Sequence, residues 1–293
     1  MDPALIPPRP DNPRDLLRRY GLRPRKGLGQ HFLVDPSHLA RIVDAAELAP
    51  TDAVLEIGPG LGVLTAALAR AAGRVVAVEI DPGMRAVLAD VLAGLPNVAI
   101  VPADILAVEP ADVLGLGADA VGRCPGYKVV ANLPYHITSA VLRHVLEARV
   151  VPERAVVMVQ KEVADRILAG PGDMSILAVA VQLYARPSRV SVVPAGAFYP
   201  PPKVDSAVLR LDVYPSPPVD VGDVDVFFRV VRAGFGQKRK QLRNSLAGGL
   251  GLPAEVAGAL LRQAGIDPSR RAETLTLEAW AALARTVGAA AVG

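Results

Sequence analysis

Val54-Leu55-Glu56-Ile57-Gly58-Pro59-Gly60-Leu61-Gly62 is the stretch on which the fold turns. The apolar run Ala53–Ile57 has the length of a buried strand and stops at Gly-Pro-Gly. Leu64–Ala72 then repeats its apolar residues at helical spacing. Glycines between a strand and a helix let the backbone turn sharply and approach a ligand with no Cβ in the way. Taken alone the pattern does not choose a ligand, because nicotinamide and flavin proteins use similar turns.

Outward from this turn the alternation continues. Asp35-Pro36 and Asp81-Pro82 each read as an N-cap followed by proline at the first helical position. Leu39, Ile42, Val43 and Ala46 then share one helical face, as do Met84, Val87, Leu88, Val91 and Leu92. Arg74–Glu79, Val98–Val101, Lys128–Ala131 and Ala155–Val159 read as further strands. This rhythm predicts an α/β fold, a mainly parallel sheet with helices on both faces. Pro215-Ser216-Pro217-Pro218 interrupts it and reads as a linker. Beyond it Val226, Phe227, Val230, Val231 and Gly234 line one helical face, and Trp280, Leu283, Ala284 and Val287 another. A small all-helical C-terminal domain with Trp280 in its core is expected. The expected boundaries are a flexible basic arm over 1–24, an α/β domain over 25–214 that would hold any catalytic site, and a helical domain over 219–293.

Composition narrows the partners. The 293 residues are 51% hydrophobic and 21% charged, which excludes wholesale disorder. A net charge of +3 does not by itself demand a polyanion, but its distribution is uneven. Arg9–Lys26 carries seven basic residues against two acids, and Arg229–Arg243 carries six against none. Such local patches attract RNA phosphates even when the total charge is modest. Cys124 is the only cysteine, and no Cys/His grouping has zinc-site spacing, so no metal is expected. There is neither a secretory pattern nor an apolar run of bilayer length, and a cytoplasmic monomer is expected.

Three acids shift the glycine turn towards one ligand class. Glu56 stands at the end of the first strand, where it can receive the ammonium of an amino-acid-bearing cofactor; a pyrophosphate would gain nothing there. Glu79 closes the next strand, where an acid grips ribose hydroxyls. Asp104 follows the third and can accept from an adenine amino group. Each alone could be a cap or a solvated charge.

Asn132-Leu133-Pro134-Tyr135 follows the fourth strand. An exocyclic adenine amine is a poor nucleophile, because its lone pair is delocalised into the ring. An Asn side-chain oxygen can accept one of its N–H groups and the Leu133 carbonyl the other. Pro134 stiffens the turn, and Tyr135 offers a face for a base. Alignment and electrostatic complementarity would carry most of the catalysis. An isolated motif of this kind would be an Asx turn beside a core tyrosine; its place after the glycine turn and the acid series favours an amine site.

With these residues in place the chain resembles the bacterial 16S rRNA adenine N6,N6-dimethyltransferases, the kasugamycin-resistance family. The resemblance covers about Arg25 to Leu246. It rests on Arg25-Lys26-Gly27-Leu28-Gly29-Gln30-His31-Phe32-Leu33, Val54–Gly60, Asn132–Tyr135, Gln160-Lys161-Glu162-Val163, Phe198–Val208 and Phe235–Leu246. It implies a Rossmann-like class I S-adenosylmethionine-dependent methyltransferase fold with a seven-stranded sheet. It further implies that His31, Leu33, Gly58, Glu79, Asp104 and Asn132 contact S-adenosylmethionine, joining Glu56 and Gly60. Asn132, Leu133 and Tyr135 would hold the target base, and Phe198 would close on its other face. The implied substrate is a pair of adjacent adenosines in the 3′-terminal hairpin loop of 16S rRNA, each dimethylated within a small subunit or its precursor. Lys203, Lys238, Arg239, Lys240 and Arg243 are the expected phosphate contacts.

Two positions depart from the commonest pattern. His31 replaces Asn, and either side chain can hydrogen-bond a ligand. Asp173-Met174-Ser175-Ile176-Leu177 replaces a Tyr-Gly pair. Competing readings are a large-subunit rRNA methyltransferase of the macrolide-resistance type, a non-catalytic nucleic-acid-binding factor on the same fold, and a small-molecule methyltransferase. The Gln237–Leu246 run disfavours the first, the intact acid and Asn132 set the second, and the basic segments the third.

Overall fold

The structure, a computed structural model, describes residues 12–292. Its strands are β1 Phe32–Leu33, β2 Ala53–Ile57, β3 Arg74–Val78, β4 Val98–Val101, β5 Gly122–Asn132, β6 Val150–Gln160, β7 Ala185–Val193, β8 Phe198–Tyr199 and β9 Ser206–Val213. Seven form one sheet in the order β4-β3-β2-β5-β6-β9-β7, while β1 and β8 pair by themselves. The contiguous set β4 to β6 is parallel, and β9 runs antiparallel to β6. The expected mainly parallel, seven-stranded α/β sheet is therefore present. Runs such as Val75–Val78 and Val129–Ala131 are buried throughout, as strands covered on both faces require. The caps read from Asp35 and Asp81 are also present, each accepting a backbone N–H two residues on.

The chain divides into two compact units, one running through Ala164 and adding Arg186–Pro215, the other comprising Asp165–Ala185 and the segment from Ser216 onward. This corrects the expectation of one unbroken catalytic domain over 25–214. The helix Ile176–Tyr184 buries Ala178, Val179, Ala180 and Leu183 in one cluster with Phe227, Val230, Trp280 and Leu283. Met174, in the unusual 173–177 segment, is buried in the same cluster, and Ser175 caps the helix by accepting Ala178 N–H at 3.2 Å. The C-terminal helices Val224–Phe235, Leu242–Leu250, Ala254–Gln263 and Leu277–Val292 complete the expected helical unit. Trp280 is fully buried and stacks on Phe235 at 5.3 Å. A Cβ on Gly234 would lie 2.4 Å from the Trp280 ring, so only glycine fits that helical position.

The basic arm is also corrected. Residues 1–11 lie outside the described residues, but Pro13–Arg19 is a helix capped by Asn12. Its Leu16 and Leu17 are buried against Phe32, Leu61, Met84 and Val87. Two leucines among arginines suffice to dock a seven-residue helix that would not persist alone. Between β2 and β5, Lys128 Nζ donates to Asp52 at 2.7 Å and to the Glu47 carbonyl, both side chains being buried. Removing either partner would strand a buried charge, at a cost of about 3–5 kcal/mol. Among the described residues no helix is long and apolar enough to cross a membrane.

Candidate active site

Within the first unit, the carboxyl ends of β2, β3, β4 and β5 open on a cavity of about 310 Å³. The segment Leu28–Leu33 supplies a further part of its lining. His31, Leu33, Glu56, Gly58, Gly60, Glu79, Asp104, Asn132, Leu133, Pro134 and Tyr135 all line it, so the structure brings the two expected sets into one space.

The glycine turn has positive φ at Gly58, Gly60 and Gly62 (67°, 58° and 79°), a region that side chains with a Cβ rarely adopt. A Cβ on Gly60 would also press on the Phe32 ring at 3.1 Å. Glu56 is 1% exposed, and its Oε2 has no hydrogen-bond partner among the described residues. Burial pushes its carboxyl up to about 8; the Thr65 hydroxyl opposes this without a well-directed hydrogen bond, and nearby Glu79 reinforces it. An unpaired buried carboxyl facing a cavity calls for a cation. Glu79 is also held above the usual carboxylate range, chiefly by burial, against hydrogen bonds from Asp81 N–H at 2.8 Å and Gly60 N–H at 3.4 Å. Those two donors leave lone pairs for further partners. Asp104 is exposed and caps a 3₁₀ turn through Oδ1, which accepts Leu106 N–H at 3.0 Å. Ile80, 52% exposed directly after Glu79, and Leu106 add apolar faces at the mouth.

On the amine side, Asn132 Nδ2 donates to the His31 carbonyl at 3.1 Å. A carbonyl only accepts, so this bond fixes the amide and leaves Oδ1 as its free acceptor. Leu133 N–H donates to the Met158 carbonyl at 3.1 Å, continuing the sheet past β5. The Pro134 carbonyl accepts from Ile137 N–H and Thr138 Oγ1, which closes the turn. Tyr135 bonds Ser206 Oγ at 2.7 Å, and its ring lies 5.9 Å from that of His31 at 21°. His31 Nδ1 lies 2.7 Å from the Pro200 carbonyl, so Nδ1 carries the proton.

Phe198 does not line the cavity. It is 4% exposed in the core with Leu39, Val54, Leu64 and Val208, and its backbone pairs with Leu33. The expected sandwich of a base between Tyr135 and Phe198 is thus not formed by these side chains. Lys203 is exposed in the same unit, outside the cavity lining. Lys238, Arg239, Lys240 and Arg243 are exposed in the second unit, around the turn between its helices Val224–Phe235 and Leu242–Leu250. No cluster of three or more His, Cys, Asp or Glu able to hold a metal exists among the described residues.

The profile of the ribosomal RNA adenine dimethylase family matches residues 21–287. The chain belongs to that family. The dimethylase is 51% identical over 269 residues to the ribosomal RNA small subunit methyltransferase A of Dehalococcoides mccartyi, spanning 91% of this chain and 89% of that one. It is 50% identical to the protein of the same name from Moorella thermoacetica, over 93% and 95% of the two chains. Among solved structures it is similar to a Plasmodium falciparum dimethyladenosine transferase (26% identity, TM-score 0.71, 86% and 96% coverage). The 23S rRNA methyltransferase ErmE is also similar (31% identity, TM-score 0.65, 88% and 99% coverage). The dimethylase is an S-adenosylmethionine-dependent enzyme that dimethylates adenine in ribosomal RNA. The cavity fits that cofactor: an orphaned carboxyl suits its ammonium, a second acid with free lone pairs suits ribose, and exposed Ile80 suits a purine face.

Two residues escaped the sequence reading. Gln30 lay inside a quoted motif without a role, and Asp81 was read only as a helix cap. The local pattern accounted for each, and nothing in it announces that the two touch.

Proposed function

We propose that this dimethylase transfers methyl groups to the N6 of two adjacent adenosines in the 3′-terminal hairpin loop of 16S rRNA, two to each. It acts as a cytoplasmic monomer on a small subunit or its precursor. Small-subunit methyltransferases at 50–51% identity over nine-tenths of the chain support the choice of rRNA. The observation that carries the chemistry is the Asn132–His31 bond, because it turns an acceptor oxygen, not a donor, towards an incoming amine.

In this reading Glu56 meets the ammonium of S-adenosylmethionine, Glu79 its ribose and Asp104 its adenine. Gly58 and Gly60 admit close backbone approach, and His31 and Leu33 complete the lining. The cofactor supplies an electrophilic methyl group on a sulfonium. In the first transfer Asn132 Oδ1 and the Leu133 carbonyl each accept an N–H of the target amine, and in the second one of them accepts the single N–H that remains, drawing electron density onto nitrogen as it becomes tetrahedral. No base is needed beforehand, because the amine proton becomes acidic only as the new bond forms. That proton stays on nitrogen, hydrogen-bonded to Asn132 Oδ1, until it passes to solvent. Tyr135, fixed through Ser206, offers its ring to a base that has left its stack, a step costing a few kcal/mol and least in a loop. Lys203 and the Lys238–Arg243 run contact phosphates.

Incubation with labelled S-adenosylmethionine and unmethylated small and large subunits, followed by nuclease mapping, tests the proposal. Two neighbouring N6,N6-dimethyladenosines in 16S rRNA are expected. Label confined to 23S rRNA would overturn it in favour of the ErmE-like activity, and label at another position of 16S rRNA would overturn the assigned loop.

A further inference from the structure

Helix caps need one side-chain oxygen, and Asp81 uses Oδ1 in that way, accepting Gly83 N–H at 2.9 Å. Its other contacts go beyond capping. The side chain is 2% exposed, and Oδ2 accepts Gln30 Nε2 at 3.0 Å across 51 residues of chain. Its backbone N–H donates to Glu79 Oε1 at 2.8 Å. The Arg25 guanidinium lies 3.4 Å from Oδ1, and Arg25 N–H donates to Gln30 Oε1 at 2.9 Å. Residues 25–30 are thereby stapled as a closed loop onto Asp81. The next residue is His31, whose carbonyl orients Asn132 and whose Nδ1 donates to Pro200.

We propose that Asp81 is a positioning residue for methyl transfer: through Gln30 it anchors the strap that orients Asn132, and through its own N–H it sets Glu79. This rests on the roles of Glu79 and Asn132 given above. The carbonyl that fixes the Asn132 amide belongs to His31, the residue directly after the Gln30 anchor. A loosened strap lets that amide turn over and present N–H groups to an amine that also needs acceptors. Donor then faces donor, and alignment is lost even with cofactor bound. Asp81 thus ties the grip on the methyl donor to the geometry of the acceptor.

The test uses the full-length enzyme. Asp81→Asn keeps the cap, since Asn caps as well as Asp, but sets an amide N–H₂ against that of Gln30. Adding Gln30→Glu restores complementarity, because a carboxylate accepts from both Asn at 81 and Arg25 N–H. Two quantities are read: the Kd of S-adenosylhomocysteine by calorimetry, and the single-turnover rate on unmethylated small subunits at saturating cofactor. Asp81→Asn is expected to weaken Kd and slow the saturated rate, each by about tenfold, the scale of one lost charge-assisted hydrogen bond. The double variant is expected to recover most of both. Wild-type values for Asp81→Asn would reduce the residue to a cap. A change in Kd alone would limit it to supporting Glu79, and a double variant no better than the single would remove the Gln30 staple; each overturns the proposal. If Asp81→Asn fails to fold, Gln30→Ala leaves the cap intact and carries the same two readouts. Asn132→Ala is measured alongside. A defect there with none in the Asp81 and Gln30 variants sinks this inference alone, whereas a wild-type rate for Asn132→Ala sinks the amine-site reading with it.

Discussion

One wall of the cavity is made of residues at or just past the ends of consecutive parallel strands: Glu56, Gly58, Glu79 and Asp104. The other is the strap Leu28–Leu33, held by contacts that span 51 residues to Asp81, 101 to Asn132 and 169 to Pro200. The first wall follows from local periodicity, because the sheet delivers each strand end to the same edge. The second exists only after the chain has folded around it. Asn132 belongs to the first wall by position and to the second by orientation, and there the difference becomes chemical. The sheet places its side chain, but the strap decides which amide atom faces the cavity.

The largest effect should come from breaking that junction. Asn132→Ala is expected to lower the single-turnover rate by about 100- to 1000-fold, the usual loss for one preorganised polar group. The Kd for S-adenosylhomocysteine should change only a few-fold, because the strand-end acids remain. Equal losses in rate and in Kd would move Asn132 into the cofactor wall and erase the distinction.

A smaller effect belongs to a surface outside either wall. Replacing Lys238, Arg239 and Lys240 together by Ala should weaken binding to small subunits and reduce the slope of log Kd against log salt by about 2 to 3, roughly one per phosphate contact. The saturated methyl-transfer rate should stay near wild type, since none of the three lines the cavity. An unchanged salt slope would take this run off the RNA surface.

Gly60→Ala probes the point where the two walls touch. The turn holds φ at +58°, and the added methyl would meet Phe32, which belongs to the strap side. A loss of about 1–3 kcal/mol in unfolding free energy is expected from the backbone conformation, read by urea denaturation. Cofactor Kd should rise by about tenfold as Phe32 gives way. Wild-type stability and Kd would mean that the turn relaxes freely and that the walls are independent there.

The same contrast explains what the sequence made legible. Alternating apolar runs, Asp-Pro caps and Gly-Pro-Gly announced β2 to β6 and their helices, because parallel strands buried on both faces write themselves as Val- and Ala-rich segments. β7 stayed hidden. Ala185–Val193 carries Arg186, Pro187, Ser188 and Arg189, a composition that suits a strand at the end of the sheet, where proline needs no ladder partner. The helix Ile176–Tyr184 was assigned to the wrong unit because its sequence records that it is buried, but not what buries it. Phe198 was expected to stack on a base only through the family resemblance, whereas in the structure its ring lies in the core. Leu16 and Leu17 were outweighed by the surrounding arginines and prolines. Residue types showed where polar chemistry gathers, and long-range contacts decided which groups face it.

Glu56 sharpens the cofactor wall through its proton. Its carboxyl is raised from 4.5 to about 8 by burial. Between those values the unfolded chain has lost the proton while the folded, cofactor-free chain keeps it, so stability declines as pH rises from about 4.5 to about 8 and levels off above. Glu56→Gln should flatten that decline, which urea titrations from pH 5 to pH 9 would reveal. An ammonium brought beside Glu56 favours the charged carboxylate, so cofactor binding at pH 7 should release up to about one proton. Calorimetry of S-adenosylhomocysteine binding, repeated in buffers of different ionisation enthalpy, counts that proton. Glu56→Gln should reduce the release. Equal proton release by the variant and the wild type would mean that the cation meets some other group, and the first wall would lose its innermost acid.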